Sequence, residues 1–395
     1  MSGGRASPRL VVVARDASPT QENRALLAVV RSLVAIGDAE VTVVLQKGGA
    51  LVDEMASITA TVVAADLSRW APAAVFERLI GRMGFRALAG RVRGHRLGLG
   101  RLGRGDAVYL HTVMVVQALR YLPRAVPVLC RVPESVYPLR QPLSSTDVRL
   151  LVDRVTRFLT VTSAGVDDLV AVHGVAPERV VRMREAVVAP VAGDRPAEGP
   201  ALRTRLGFGD EAVVVGIFGD AAVEIHPPCL PLAVAIRRHP DSDAVVLLLV
   251  VPEHTAGPWA RHDIEYAGLA DRVAIVELVG SPPAYLDVCD VVVHAWWGAD
   301  QPLAYLEAAA AGIPLVCSEG HELAELVGDD EGGYVCPRLD LPAMAAGVVA
   351  LAAQPVERRE KGAVAAARAA ARYAPTDAAG RLWQQVLEVR VCMPS

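Results

Sequence analysis

Lysine is nearly absent from this chain: Lys47 and Lys361 are the only two in 395 residues, and arginine supplies the rest of the 40 basic side chains. With 44 acidic residues the net charge is -4, so no excess of positive charge invites nucleic acid. The six cysteines (Cys130, Cys229, Cys289, Cys317, Cys336, Cys392) include no CxxC pair, and several lie in strand-like apolar runs. That pattern predicts buried free thiols in a reducing compartment. The histidines and acids show no ligand spacing either, so no metal is implied. No uninterrupted apolar run reaches roughly 18 residues, and MSGGRASPR carries no long apolar segment before the first strand. These absences predict a soluble, cytoplasmic protein.

What is present is an apolar composition, 52% hydrophobic against 21% charged, on a chain long enough for two domains with full cores. Strands are expected at 10–14, 41–45, 61–64, 107–110, 127–131, 158–161 and 180–188. A break rich in Pro, Gly and Ala follows at 189–200, the best linker in the chain. Further strands are expected at 213–218, 244–251, 273–276, 290–293, 315–317 and 334–336. Strands alternating with helices at this spacing predict parallel sheets covered on both faces. The tail 358–391 reads as alanine-rich helix, interrupted at Ala374-Pro375, and ends in an amphipathic segment with Leu382, Trp383, Val386 and Leu387. The first strand-to-helix loop, ARDASPTQEN, has no GxGxxG and gives no evidence for a dinucleotide cofactor.

Residues 81–104 hold seven arginines and no acid. Two readings stay open: a solvated helix with a glycine-rich loop, or an arm making weak peripheral contact with anionic lipid or an anionic substrate. The stretch 290–327 carries more chemistry. It reads as strand, a loop with Trp296 and Trp297, a helix with Glu307 among alanines, a stop at Gly312 and Pro314, and a second strand. Such a crossover helix begins at the carboxyl edge of a parallel sheet, where α/β proteins bind nucleotides and phosphates, and a lone acid there suits a ribose. The strands at 107–110 and 127–131 end at His111 and at Pro133-Glu134, which puts His111 and Glu134 at one edge as catalytic candidates. The alternative for His111 is a satisfied structural group.

Together, Asp271-Arg272-Val273, PPAYLDVCD, LEAAAAGIPLV and SEGHELAELV resemble the C-terminal domain of retaining GT-B glycosyltransferases of family 4. The first half is similar through YLHTVMVVQALRYLPRAVPVLCRVPE, VTSAGVDDLVAVHGVAPERV and ALRTRLGFGDEAVVVGIFGD. The resemblance implies an α/β GT-B fold of two facing Rossmann-like domains with parallel sheets. Residues 1–190 would form the acceptor domain, completed by a C-terminal crossover helix at 376–391, and 201–375 the donor-nucleotide domain. It implies transfer of a sugar, with retention, from a nucleotide-sugar donor to a small-molecule, lipid-linked or glycan acceptor. The nucleotide-sugar would be a substrate and no cofactor is implied.

Residue by residue, Glu307 matches the family acid that binds the ribose hydroxyls, a task suited to a carboxylate that accepts two hydrogen bonds. The motif's first glutamate falls on Ala299, with Asp300 one residue later as its substitute. The family's glycine pair corresponds to His321 and Glu322, and Glu325 matches the acid that follows. Gly219 ends the first strand of the second domain. Asp220 stands where an arginine is usual, and the lysine region reads Glu224, Ile225, His226, Pro227, leaving His226 as a conditional positive charge. Trp297, with Trp296, offers a face for sugar stacking, and core packing of at least one of the two is the alternative. In the first domain the histidine before Glu134 is Pro133.

The implied catalytic set is therefore His111, Glu134 and Asp300. The implied donor set is Gly219, His226, Trp297, Asp300, Glu307, His321, Glu322 and Glu325, with Arg131 or Arg184 as replacements for the missing charge. Each lost oxyanion-type donor costs about 3 kcal/mol, so two uncompensated losses slow transfer by roughly 10⁴-fold. A catalytically inactive GT-B-like binding or accessory protein is accordingly the alternative. The arginine and alanine bias points to a GC-rich bacterium, an origin compatible with cell-envelope or natural-product biosynthesis.

Overall fold

The computed structural model describes residues 9–38, 40–63, 99, 102–103, 105–132, 143–161, 163–188, 199–218, 226–252, 258–278, 283–294, 303–319 and 323–391. The chain divides into two compact units, one of residues 1–186 with 375–395 and one of residues 187–374. Both are Rossmann-like α/β units built on parallel sheets.

In the first unit β1 (Arg9–Ala14), β2 (Glu40–Leu45), β3 (Ala60–Val63), β4 (Ala107–Leu110), β5 (Val128–Val132), β6 (Arg157–Thr160) and β7 (Val180–Arg182) form one sheet in the order β3-β2-β1-β4-β5-β6-β7. All its pairings are parallel. Helices cover both faces, which is why β1 and β4 are continuous apolar runs. The first helix, Gln21–Ile36, starts where Thr20 accepts a hydrogen bond from the Asn23 N–H at 3.3 Å and stops at Gly37, whose φ of 77° suits glycine. Its buried face, Ala25, Leu26, Val29 and Val30, packs with Ala379, Leu382, Trp383 and Val386 of the terminal helix Pro375–Val391. Arg157 on β6 holds that helix from the side, donating to Gln385 at 2.6 Å and pairing with Glu388. The terminal helix thus returns to the first unit, as the GT-B resemblance implies.

In the second unit β8 (Val213–Phe218), β9 (Val245–Pro252), β10 (Val273–Leu278), β11 (Val291–His294), β12 (Leu315–Ser318) and β13 (Gly333–Cys336) pair in the order β10-β9-β8-β11-β12-β13, again all parallel. Helix Leu303–Ala310 links β11 to β12 and ends at Gly312, φ 80°. It crosses helix Pro355–Arg372 at a backbone-to-backbone contact: a Cβ on Gly362 would lie 2.0 Å from the Gly312 carbonyl oxygen. From the same long helix Arg368 and Arg372 donate to the carbonyls of Leu326, Val327 and Glu325, closing the C-terminus of the short helix Ala324–Val327.

The strand expected at 180–188 is shorter than its apolar pattern. The Met183 N–H still reaches the Thr160 carbonyl at 2.7 Å, but β7 ends at Arg182. Ala186 and Val187 are buried away from the ladder, so burial prolonged the strand-like pattern without strand pairing. Of the arginine-rich stretch 81–104, residues 81–98, 100–101 and 104 lie outside the described residues, as do 189–198 of the linker. Leu99 and Leu102 are buried in the first-unit core. Among the described residues five cysteines are free thiols, and no helix is long and apolar enough to cross a membrane.

Two substitutions test this packing in urea titrations that follow each unit separately. Gly362→Ala should cost the second unit about 1–3 kcal/mol through overpacking against Gly312. Trp383→Ala should cost the first unit about 3–5 kcal/mol.

Candidate functional site

In each sheet the strand order reverses once, between β1 and β4 in the first unit and between β8 and β11 in the second. The carboxyl ends of the strands at such a reversal form the crevice where open α/β sheets take ligands.

At the first reversal the chain leaves β1 through a loop ordered by its own side chains. The Asp16 carboxylate accepts from the Ser18 N–H at 3.0 Å, the Ser18 hydroxyl and the Asn23 amide at 3.0 Å. Burial works to raise the Asp16 pKa, but these hydrogen bonds outweigh it and hold the group below the usual carboxylate range. Arg131 on β5 is buried and lies between two acids. Its Nη1 is 2.6 Å from Glu22 Oε1, and its Nη2 and Nε are 2.6 Å and 3.0 Å from Glu185 Oε1. Nη1 also donates to the His111 carbonyl at 3.3 Å. Burial disfavours the Arg131 charge, yet Glu185 and Glu22 together raise its pKa. Burial likewise acts to raise the Glu22 pKa, and Arg131 brings it below the ordinary value.

His111 is 6% exposed beside this cluster. Its Nε2 is 3.6 Å from Glu22 Oε1, beyond hydrogen-bond length, and its Nδ1 is 3.4 Å from the Tyr109 hydroxyl. Burial, reinforced by the Arg131 charge, lowers its pKa to about 4, so the ring is neutral at pH 7. His111, Arg131, Glu185 and Tyr109 line a cavity of about 30 Å³ closed on its apolar side by Leu26 and Leu382. That volume has room for a water molecule.

At the second reversal the helix Leu303–Ala310 brings two polar side chains into a buried setting. Glu307 is 6% exposed and Tyr305 2% exposed. The Tyr305 hydroxyl accepts from the Phe218 N–H and donates to the Phe218 carbonyl, both at 3.0 Å. The His294 ring, at the end of β11, stands edge-on to Tyr305 at 4.7 Å. Phe218 and His294 are the last residues of β8 and β11, so Tyr305 bears on both strand ends at the reversal.

Of the residues picked from sequence, Glu307 lies in this buried helix and His111 at the first-unit edge. Glu325 is on the surface, its carboxylate 3.3 Å from Arg372 Nη1. His226 is the first residue of helix His226–Arg238. Glu134, Gly219, Trp297, Asp300, His321 and Glu322 lie outside the described residues. The sequence also offers Arg131 as a replacement cation for a donor diphosphate. That role is corrected by the structure, because two carboxylates already hold its guanidinium. Sequence reasoning missed Glu22, Glu185 and Tyr305. The first two are 109 and 54 positions from Arg131 and share no local pattern with it. Tyr305 did carry a signal, the one hydroxyl-bearing ring in a helix that is alanine and leucine apart from Glu307.

The two reversed parallel sheets and the returning terminal helix define the GT-B architecture. Residues 231–354 match the family described as Glycosyl transferases group 1. Among solved structures, HepE from Anabaena in complex with UDP and glucose superposes with a TM-score of 0.68 at 15% identity, covering 96% of this chain and 100% of that one. A glycosyltransferase from Rickettsia africae gives 0.65 at 10% identity, covering 98% and 99%. Sucrose-phosphate synthase from Thermosynechococcus elongatus gives 0.63 at 16% identity, covering 96% and 99%. No curated protein matches the chain significantly.

Removing Arg131 should be severe, because it strands two carboxylates. Arg131→Met is expected to destabilise the first unit by about 3–5 kcal/mol in urea denaturation. The His111 shift also fixes a sign. Between about 4 and its ordinary value of 6.5 the folded ring binds fewer protons than the unfolded one, so stability falls as pH falls through that window. His111→Gln should flatten the melting temperature over that range, leaving the further acid loss that comes from protonating Glu22.

Proposed function

We propose that this protein is a glycosyltransferase that moves a sugar, with retention, from a nucleotide-sugar donor to a small-molecule, lipid-linked or glycan acceptor. In this reading the second unit takes the donor nucleotide and the first unit the acceptor. The observation that carries it is Glu307: a carboxylate buried on the crossover helix at the reversal point of the second sheet, inside the segment that matches Glycosyl transferases group 1. A carboxylate accepts two hydrogen bonds at once, and a ribose diol offers two donors. Retaining transfer asks the protein mainly to position the donor and to stabilise the leaving diphosphate, so ordered strand ends matter more than a general base.

Calorimetric titration with UDP and other nucleoside diphosphates tests the reading. Micromolar binding of at least one is expected, and Glu307→Ala should weaken it about 10- to 100-fold, equivalent to about 1.4–2.8 kcal/mol. Slow donor hydrolysis without an acceptor, screened across nucleotide-sugars, then identifies the sugar. No binding across the panel overturns the enzyme reading in favour of an accessory protein of the same fold.

A further inference from the structure

Along a parallel strand each residue offers its N–H and C=O to one flank, and the flank alternates from residue to residue. Val214 on β8 faces β11, since its carbonyl accepts from the Asp290 N–H at 2.7 Å. Gly216 and Phe218 therefore face β11 as well. The β8–β11 register, however, ends at Val292 beside Gly216. Phe218 is 7% exposed, and its two backbone groups point at a neighbour that is no longer paired there. The Tyr305 hydroxyl occupies that position and satisfies both groups at 3.0 Å. Burial pushes the Tyr305 pKa up, so the hydroxyl stays neutral and keeps both a proton to donate and a lone pair to accept with. The rings of Phe218 and His294 stand edge-on to it at 5.9 Å and 4.7 Å, at interplanar angles of 85° and 87°. Tyr305 is a wedge with hydrogen-bonding capacity, set where the two strands of the reversal part.

We propose that Tyr305 is a positioning residue of the donor site, clasping the carboxyl end of β8 to the helix that carries Glu307 so that both keep one spacing across the crevice. This rests on the donor reading above. With the ribose at Glu307, as that reading has it, a nucleoside diphosphate reaches one phosphate further across the crevice than a monophosphate and so depends more on the spacing to the end of β8. A loosened clasp should therefore weaken the diphosphate selectively.

The test compares UMP and UDP binding in the full chain and in Tyr305→Phe, which keeps the ring and removes only the hydroxyl. The expected result is a loss of about tenfold or more for UDP, with UMP changed by less than about threefold. Equal weakening of both, or no change in their ratio, overturns the positioning role. Amide hydrogen exchange on the unmodified protein covers the case in which the variant does not fold. The Phe218 amide should be protected like the Gly216 amide despite lying past the end of the β8–β11 ladder, and exchange at the rate of an exposed loop overturns the clasp. An unmodified protein that binds neither UMP nor UDP nor any other nucleoside diphosphate of the panel above, with Phe218 still protected, overturns the donor reading and with it the functional role of the clasp.

Discussion

A parallel sheet whose strand order reverses must let two neighbouring strands part at their carboxyl ends, and the backbone groups that faced each other there need other partners. Much of the polar chemistry in this protein answers that constraint. In the second unit one phenol hydroxyl takes the place of a strand at Phe218. In the first unit the parting is handled differently. β4 stays paired one residue longer, through the His111 N–H to the Val13 carbonyl at 2.9 Å. The chain after β1 then turns towards the other flank, where the N–H groups of Gln46 and Lys47 meet the carbonyls of Ala14 and Arg15 at 3.0 Å and 2.9 Å. The open side is filled by charged side chains, with Arg131 bridging Glu22 and Glu185.

The two solutions differ in their electrostatic consequences. A buried guanidinium between two carboxylates fixes the first helix, β5 and the segment after β7 relative to one another, but it is not a site of net positive charge. Several described cations of the second unit are also engaged. Arg203 and Arg358 approach Asp290, Arg368 pairs with Glu331, and Arg372 with Glu325. A sequence that puts Asp220 and Glu224 where relatives of the resembled family carry basic residues thus belongs to a chain whose described arginines mostly serve helix ends and local ion pairs. Placement of groups carries more of the argument for donor binding than charge does.

Strand positions were legible because fully buried parallel strands leave unbroken apolar runs. β4 and β8 fall on the expected residues, and the other strand ends move by one or two positions, except at β7. The β7 pattern misled because Ala186 and Val187 are buried for reasons other than sheet pairing. Glu307 stood out as an acid in an alanine-rich helix, a contrast that any reader of composition can see. The Glu22–Arg131–Glu185 cluster could not be seen that way, since only the folded sheet brings its members together. Tyr305 was visible as a residue but not as a clasp. Its role depends on where the β8–β11 ladder stops, and strand register across a sheet is not written in the periodicity of either strand.

The helix that joins Tyr305 to Glu307 spans only Leu303–Ala310, eight residues, too short to hold its shape alone in water. Its order comes from its neighbours. On one side the Gly312 backbone sits so close to Gly362 that no side chain fits between them, which fixes the end of the helix against Pro355–Arg372. On the other the Tyr305 hydroxyl fixes it to the last residue of β8. A short helix held at both places has little freedom to tilt or slide, and an acid borne between the two anchors inherits that rigidity. The spacing of Glu307 from the end of β8 is in this sense a property of Gly362 and Phe218, two residues with no polar side chain.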